Sequence, residues 1–158
     1  MSEADKLEVT RKDKIFLLPL VNKDKINNII RELDYVFKRS VVERPEYDGL
    51  ISKIAERAIV MAAYLDNAAV GYCAFYMNDF ANSTAYISLI AVKEAYQNMH
   101  VGTALIQYIK QIAVVNDIRQ IRLEVDKDNE NAIRFYMRRH FTKERQASEV
   151  SDYMVCLL

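Results

Sequence analysis

Two cysteines, two prolines and three glycines are all that this chain of 158 residues holds of the types that staple, break or loosen a backbone. With no Pro/Gly-rich tract and no shift in composition, nothing marks a linker, and residues 1–158 read as one domain with enough length to bury a core. Cys73 and Cys156 both stand in apolar, strand-like segments. Each reads as a small core hydrophobe, and a cross-link requires that the two strands adjoin. A charge excess is missing too: 22 basic residues balance 22 acidic ones, and neither sign forms a run. The field that draws proteins to nucleic acid is absent, so no nucleic-acid partner is expected. The most apolar window, Ala58 to Leu65, is far too short to cross a bilayer, and Met1-Ser2-Glu3-Ala4-Asp5 has neither the basic start nor the apolar stretch of a leader. A cytoplasmic protein without a membrane partner is expected. Two histidines and two cysteines at wide spacing form no metal-ligand set. Gly-x-x-x-x-Gly-Lys-Ser/Thr, Gly-x-Gly-x-x-Gly and His-Glu-x-x-His are all absent.

What is present is a regular alternation of elements. Lys14 to Leu18 reads as a strand closed by Pro19, and Asn22 caps a helix with apolar face Ile26, Ile29, Ile30, Leu33, Val36 and Phe37. A second helix after Pro45 carries Leu50, Ile51, Ile54, Ala55 and Ala58. The turn Asp66-Asn67 and the segment Asn78–Ser83 divide the next stretch into strands Ile59–Leu65, Val70–Met77 and Thr84–Val92, joined as hairpins. The spacing of Val101, Leu105, Tyr108, Ile112 and Val115 predicts a helix ending near Asn116. Ile121, Leu123 and Val125 then alternate with Arg122 and Glu124 as a strand. A short helix over Asn129–Arg138 and strands at Phe141–Gln146 and Val150–Leu157 complete an α+β fold on a mixed sheet.

The segment Ile90 to Ala104 is the most telling. A strand, Ile90-Ala91-Val92, runs through the polar loop Lys93–Tyr96 into Gln97-Asn98-Met99-His100-Val101-Gly102-Thr103-Ala104, the start of a helix. Unpaired N–H groups at such a start converge on one point and suit a phosphate.

Gln97 and Gly102 in this loop resemble the Gln/Arg-x-x-Gly-x-Gly/Ala motif of the GCN5-related N-acetyltransferases. Asn129, Ala132, Ile133 and Tyr136 resemble the same family's Asn-x-x-Ala-Ile-x-x-Tyr. The resemblance spans about Lys14 to Leu157, and its Leu123-Glu124-Val125 spacing is closest to the ribosomal-protein alanine N-acetyltransferases. It implies a mostly antiparallel sheet of about seven strands, flanked by four helices and splayed around the fourth strand. It also implies transfer of an acetyl group from acetyl-CoA, without a metal, to the primary amine of a small molecule by direct attack in a ternary complex. A peptide N-terminal amine, or a CoA-binding module that has lost turnover, stands as the alternative. A homodimer is compatible with the chain but not required by it.

Residue by residue, the resemblance puts the main chain of Ile90, Ala91 and Val92 on the pantetheine arm. It puts Gln97, Asn98, Met99, His100, Val101, Gly102 and Thr103 around the diphosphate. A backbone N–H near Val92, taken as the point where the strand splays, would polarise the carbonyl. Tyr136 would assist the leaving sulfur, or be a core aromatic beside Phe135. Asn129 would touch the cofactor, cap its helix, or do both. Glu124 would take the amine's proton, or else pair with Arg122 on the same strand face. Arg134, Arg138 and Arg139 would meet the CoA 3′-phosphate or form a solvated face. His100 and His140 stand where the family usually has glycine: a non-glycine residue forced to positive φ there is strained, its side chain could block the diphosphate, and a protonated His100 could pair with it. In the family the acceptor is chosen by segments corresponding to Ile26–Ala58 and Glu144–Asp152. Their acids, Glu43, Glu46, Asp48, Glu144, Glu149 and Asp152, mildly suit a cationic amine, or are ordinary surface charges.

Overall fold

The computed structural model describes residues 14–158, so the reading of Met1–Asp5 lies outside the described residues. The element order is the expected one: β1 (Phe16–Pro19), α1 (Lys23–Glu32), α2 (Tyr47–Arg57), β2 (Ile59–Leu65), β3 (Ala68–Asp79), β4 (Thr84–Val92), α3 (Val101–Val115), β5 (Gln120–Asp126), α4 (Glu130–Met137), β6 (Thr142–Gln146) and β7 (Ser151–Leu157). The seven strands form one sheet in the order β1-β2-β3-β4-β5-β7-β6, antiparallel except for β4 with β5. Among the described residues no helix is long and apolar enough to cross a membrane.

Local chemistry explains most boundaries. Asn22 caps α1 by accepting from the N–H groups of Asp24 (2.8 Å) and Lys25 (3.2 Å). The β2–β3 hairpin turns on Asp66 and Asn67, both at positive φ, as a two-residue turn of matching twist requires. The helix expected to run through Phe37 stops at Leu33 instead. A 3-10 turn follows over Asp34–Val36, and Asp34 then ties the chain down by accepting from Ser40 Oγ (2.6 Å) and Val41 N–H (2.8 Å). Val36 and Phe37 leave the helix stripe and border the cleft described below.

Two cores result, one on each face of the sheet. α1 and α2 bury Ile26, Ile30, Leu33, Ile51 and Ile54 on one face, while α3 and α4 cover the other. On α3 the buried stripe is Val101, Leu105, Ile106, Ile109 and Ala113. Val115, expected on that stripe, is 79% exposed, because the 3.6-residue turn has carried it out of the contact. Cys73 and Cys156 are buried free thiols on strands that do not pair.

The sheet opens where β4 and β5 part. They pair in register only over Thr84–Ile87 and Gln120–Leu123. Against β3, Ala74 faces Leu89 while Phe75 faces Ile87, so Ser88 is an extra residue, a β-bulge. A bulge bends its strand, which turns β4 away from β5 immediately after the last paired residue. The splay therefore begins at Ser88, not at Val92.

Tyr72 lies in the α1/α2 core, fully buried, with a hydroxyl that has no partner. Burial holds this phenol neutral well above its ordinary value of 10.0. The folded state keeps the proton after the unfolded chain has released it, so this contribution is intact below about pH 10 and lost as pH rises beyond it. Tyr72→Phe should stabilise the protein by about 1 kcal/mol at neutral pH. It should also flatten the alkaline decline, read as denaturant midpoints across pH 7 to about 11. A clear loss of stability at neutral pH would show that the hydroxyl has a partner.

Candidate active site

A cleft of about 1710 Å³ occupies the gap between the parted strands. The Lys93 N–H donates to the Val70 carbonyl on β3 at 2.8 Å, so alternation along β4 turns the main-chain groups of Ile90 and Val92 away from β3, toward the gap. Ala91 faces the opposite way and buries its side chain under α1 and α2. Gln97 Nε2 reaches back to the Val92 carbonyl at 3.2 Å, bracing the loop against the end of the strand.

The loop meets α3 in left-handed backbone. Asn98 has φ 68° and His100, the residue before the helix, φ 65°. The expected strain at His100 is therefore present, in a residue type that tolerates this region better than most. Ala104 makes the first intrahelical bond, to the His100 carbonyl at 3.0 Å, which leaves the N–H groups of Val101, Gly102 and Thr103 without helical acceptors. Six of the seven loop residues proposed for the diphosphate border the cleft. The exception is Met99, which is exposed outside the cleft lining.

Gly102 is required for a reason that the motif does not reveal. Its φ is not positive, but a Cβ there would lie 2.9 Å from Phe135 Cζ. The Arg139 guanidinium covers the Phe135 ring at 3.6 Å, donates to the Phe135 carbonyl at 2.8 Å and donates to Thr103 Oγ1. Arg134 and Arg138 are exposed, as a solvated face implies, whereas Arg139 is docked between α4 and the start of α3. Burial first, and then Arg138 beside it, hold its pKa below the usual arginine range.

Tyr136 is buried edge-on between Phe135 (centroids 5.3 Å apart) and Phe141 (5.7 Å), and it borders the cleft. The helix stop fixes it there. The Phe141 N–H bonds the Tyr136 carbonyl at 3.0 Å and the His140 N–H bonds the Met137 carbonyl at 3.1 Å, a Schellman pattern with His140 in the left-handed position at φ 71°. At the other end of α4, Asn129 accepts from the Ala132 N–H at 3.3 Å, so its capping role is realised at the cleft wall.

Glu124 borders the cleft on β5, and its expected pairing with Arg122 does not form. Arg122 bonds Glu144 on β6 at 3.1 Å; Glu144 is the extra residue where the β6–β7 register shifts between Lys143 and Arg145. Glu124 Oε1 instead accepts from the buried Ser151 hydroxyl at 3.0 Å, and Ser151 in turn contacts Ser148 at 2.7 Å. Ser151 lies far along the chain and only the β5–β7 pairing brings it to Glu124, so no local pattern announces it. The site thus gathers a helix start with unpaired N–H groups, an unpaired strand edge, a buried phenol and an accessible carboxylate.

The family model described as Acetyltransferase (GNAT) family matches residues 26–141. Among solved structures the chain is similar to the PaiA N-acetyltransferase of Thermoplasma acidophilum in complex with coenzyme A, with a TM-score of 0.74, 16% identity, and 92% of this chain and 99% of that one covered. It is also similar to a GNAT family acetyltransferase of Elizabethkingia anophelis with acetyl-CoA bound, with a TM-score of 0.73, 18% identity, and coverage of 93% and 100%. The ribosomal-protein-S18-alanine N-acetyltransferase of Escherichia coli superimposes with a TM-score of 0.70, 17% identity, and coverage of 91% and 94%. At these identities the likeness is one of fold.

The Gly102–Phe135 contact yields a direct expectation. Gly102→Ala should destabilise the protein by about 1–3 kcal/mol through overpacking, and adding Phe135→Leu should recover part of that loss. Additive effects in thermal denaturation would show that the ring does not need the space.

Proposed function

Because the chain belongs to the acetyltransferase (GNAT) family, we propose that it is an acetyl-CoA-dependent N-acetyltransferase acting on the primary amine of a small molecule by direct attack in a ternary complex. The observation that carries this reading is the convergence in one cleft of the α3 N-terminus, the free edge of β4, Tyr136 and Glu124. Coenzyme A joins a diphosphate to an extended amide arm, and the residues present fit both parts. The N–H groups of Val101, Gly102 and Thr103 would hold the diphosphate, and the outward main chain of Ile90 and Val92 would pair with the arm as an added strand does. Asn98, His100 and the Asn129 side chain complete the walls. Solved relatives holding coenzyme A or acetyl-CoA support the assignment. Two buried free thiols suit a reducing compartment such as the cytoplasm.

When bound, acetyl-CoA supplies a thioester whose C–S bond is exchanged for a C–N bond to the acceptor. Glu124 takes the proton that the amine must lose, directly or through water. Ser151 holds one carboxylate oxygen, and the other has no partner among the described residues. The outward N–H of Ile90 or Val92 polarises the carbonyl oxygen. Burial keeps the Tyr136 phenol protonated far past its ordinary value of 10.0, so it meets the departing sulfur as a hydrogen-bond donor. A thiol ionises near 8.5, so full transfer from so weak an acid runs uphill, and hydrogen bonding is the role that the burial favours. The proton removed at Glu124 balances the one that the thiol finally gains.

Acetyl-CoA at a hundred times its Kd should stabilise the protein by about 2.7 kcal/mol, read as a rise in melting temperature. His100→Gly should keep or improve that affinity, since the backbone donor remains and about 1–2 kcal/mol of left-handed strain is relieved. A tenfold loss by calorimetry would make the imidazole itself a contact. On a panel of amines, Glu124→Gln should lower kcat about 10²- to 10⁴-fold and Tyr136→Phe about 10²-fold. The reading fails if acetyl-CoA gives no shift and Tyr136→Phe turns over like the parent. A shift without coenzyme A release on any amine would mark a binding module instead.

A further inference from the structure

The acceptor half of the cleft has a charge pattern that reading along the chain does not anticipate. None of Glu43, Glu46, Asp48, Glu144, Glu149 and Asp152 borders it. Glu144 is engaged by Arg122, and Asp152 lies 3.6 Å from Lys143. The expected acidic surface for a cationic acceptor is therefore not at the site.

The wall is basic. Arg44, from the loop before α2, borders the cleft together with Lys53 and Arg57, which stand four residues apart on one face of α2. Among the described residues none of the three has a carboxylate within ion-pair distance. Asp34, whose carboxyl feels Arg44, spends its oxygens on Ser40, Val41 and Val42.

Two phenols connect this wall to the reacting end. Tyr76 and Tyr86 face each other across β3 and β4, on the sheet face covered by α1 and α2. Tyr76 is only 9% exposed and borders the cleft, yet its hydroxyl has no partner. Lys53 Nζ stands 5.1 Å from the centre of its ring, and the Arg57 charge offsets part of the upward push that burial gives its pKa. Burial lifts the Tyr86 phenol to about 12, and that phenol feels the Glu124 carboxylate as well as the Arg44 guanidinium. The proton acceptor and the basic wall thus flank one pair of side chains. A buried hydroxyl left unpaired is costly, and exposed cations gathered on one wall repel one another modestly until an anion joins them.

We propose that the acceptor is a primary amine that also carries an anionic group, a carboxylate or a phosphate, held by Arg44, Lys53, Arg57 and the Tyr76 hydroxyl while its amine meets Glu124. This names the substrate class of the acetyltransferase reading and rests on it. A neutral amine leaves the wall unpaired, and a diamine brings a second like charge to it. The three cations are exposed, so each contributes modestly and in a salt-dependent way, and selectivity comes from the set.

Calorimetry with coenzyme A present, using β-alanine, its neutral amide, phosphoethanolamine and ethylenediamine, tests the proposal directly. β-Alanine or phosphoethanolamine should bind at least about tenfold more tightly than the amide, with ethylenediamine weakest. The contrast between the two anionic amines tells carboxylate from phosphate. Lys53→Glu and Arg57→Glu, both at exposed helix positions, should remove that preference and shift it toward ethylenediamine. The proposal is overturned if neither anionic amine binds, if the amide or the diamine binds as tightly, or if Lys53→Glu leaves the preference unchanged. Coenzyme A release on the same amines separates the two readings. Anion-selective binding without turnover sinks the enzyme and leaves the anion site standing, whereas turnover favouring ethylenediamine does the reverse.

Discussion

Two parallel strands that part after a short paired stretch leave main-chain donors and acceptors that the sheet cannot satisfy, and this constraint organises the rest of the molecule. Such groups must be met by water or by a ligand, because burying them unmet costs as much as a lost hydrogen bond. The bulge at Ser88 sets where the parting begins, and β4 stays paired with β3 as it bends away from β5. β4 then delivers the chain into the loop before α3, while β5 stays with β7 and keeps Glu124 on the opposite bank. A helix start and a carboxylate come to share one cleft because one strand bends and its neighbour does not.

Around that gap the fold breaks several local rules together. Asn98, His100 and His140 adopt left-handed backbone, the Tyr76 hydroxyl and Arg139 Nε lack partners, and three cations stand without anions among the described residues. Elsewhere the Asn22 cap and the Asp66-Asn67 hairpin turn follow local rules, while the Tyr72 hydroxyl and Asp152 Oδ1 also lack partners. Its far edge strand, β6, is wholly exposed and rich in charge, which blunts pairing with other molecules.

What the sequence reveals follows the range of the interactions concerned. Element order was legible because periodicity, the Asn22 cap and the Asp66-Asn67 turn act over a few residues. The end of α1 was not, because Asp34 draws the chain into a turn through residues beyond the helix. The helix start at Val101 with its free main-chain groups was legible in the sequence, whereas the reason for Gly102 was not, since Phe135 reaches it from another helix. Glu124 was identifiable as a candidate, but its true neighbour Ser151 and the diversion of Arg122 to Glu144 depend on strand pairing. Of the acids in Ile26–Ala58 and Glu144–Asp152 singled out in the sequence, none lines the cleft, in keeping with ordinary surface charge: composition says how many charges a segment holds, and packing decides which of them face inward.

His100 and His140 show that residue types other than glycine can hold a left-handed angle at a helix boundary. Both hold a backbone angle that glycine adopts freely, and the helix start and the helix stop keep their hydrogen bonds. Histidine and asparagine enter this region more readily than branched residues do, so the angle can persist while the letter changes. Relatives at 16–18% identity still superimpose on this chain with TM-scores of 0.70–0.74. At these two positions the constraint is a dihedral angle and not a residue type, so a pattern written in glycines passes over a loop and a helix stop that this chain forms with histidine.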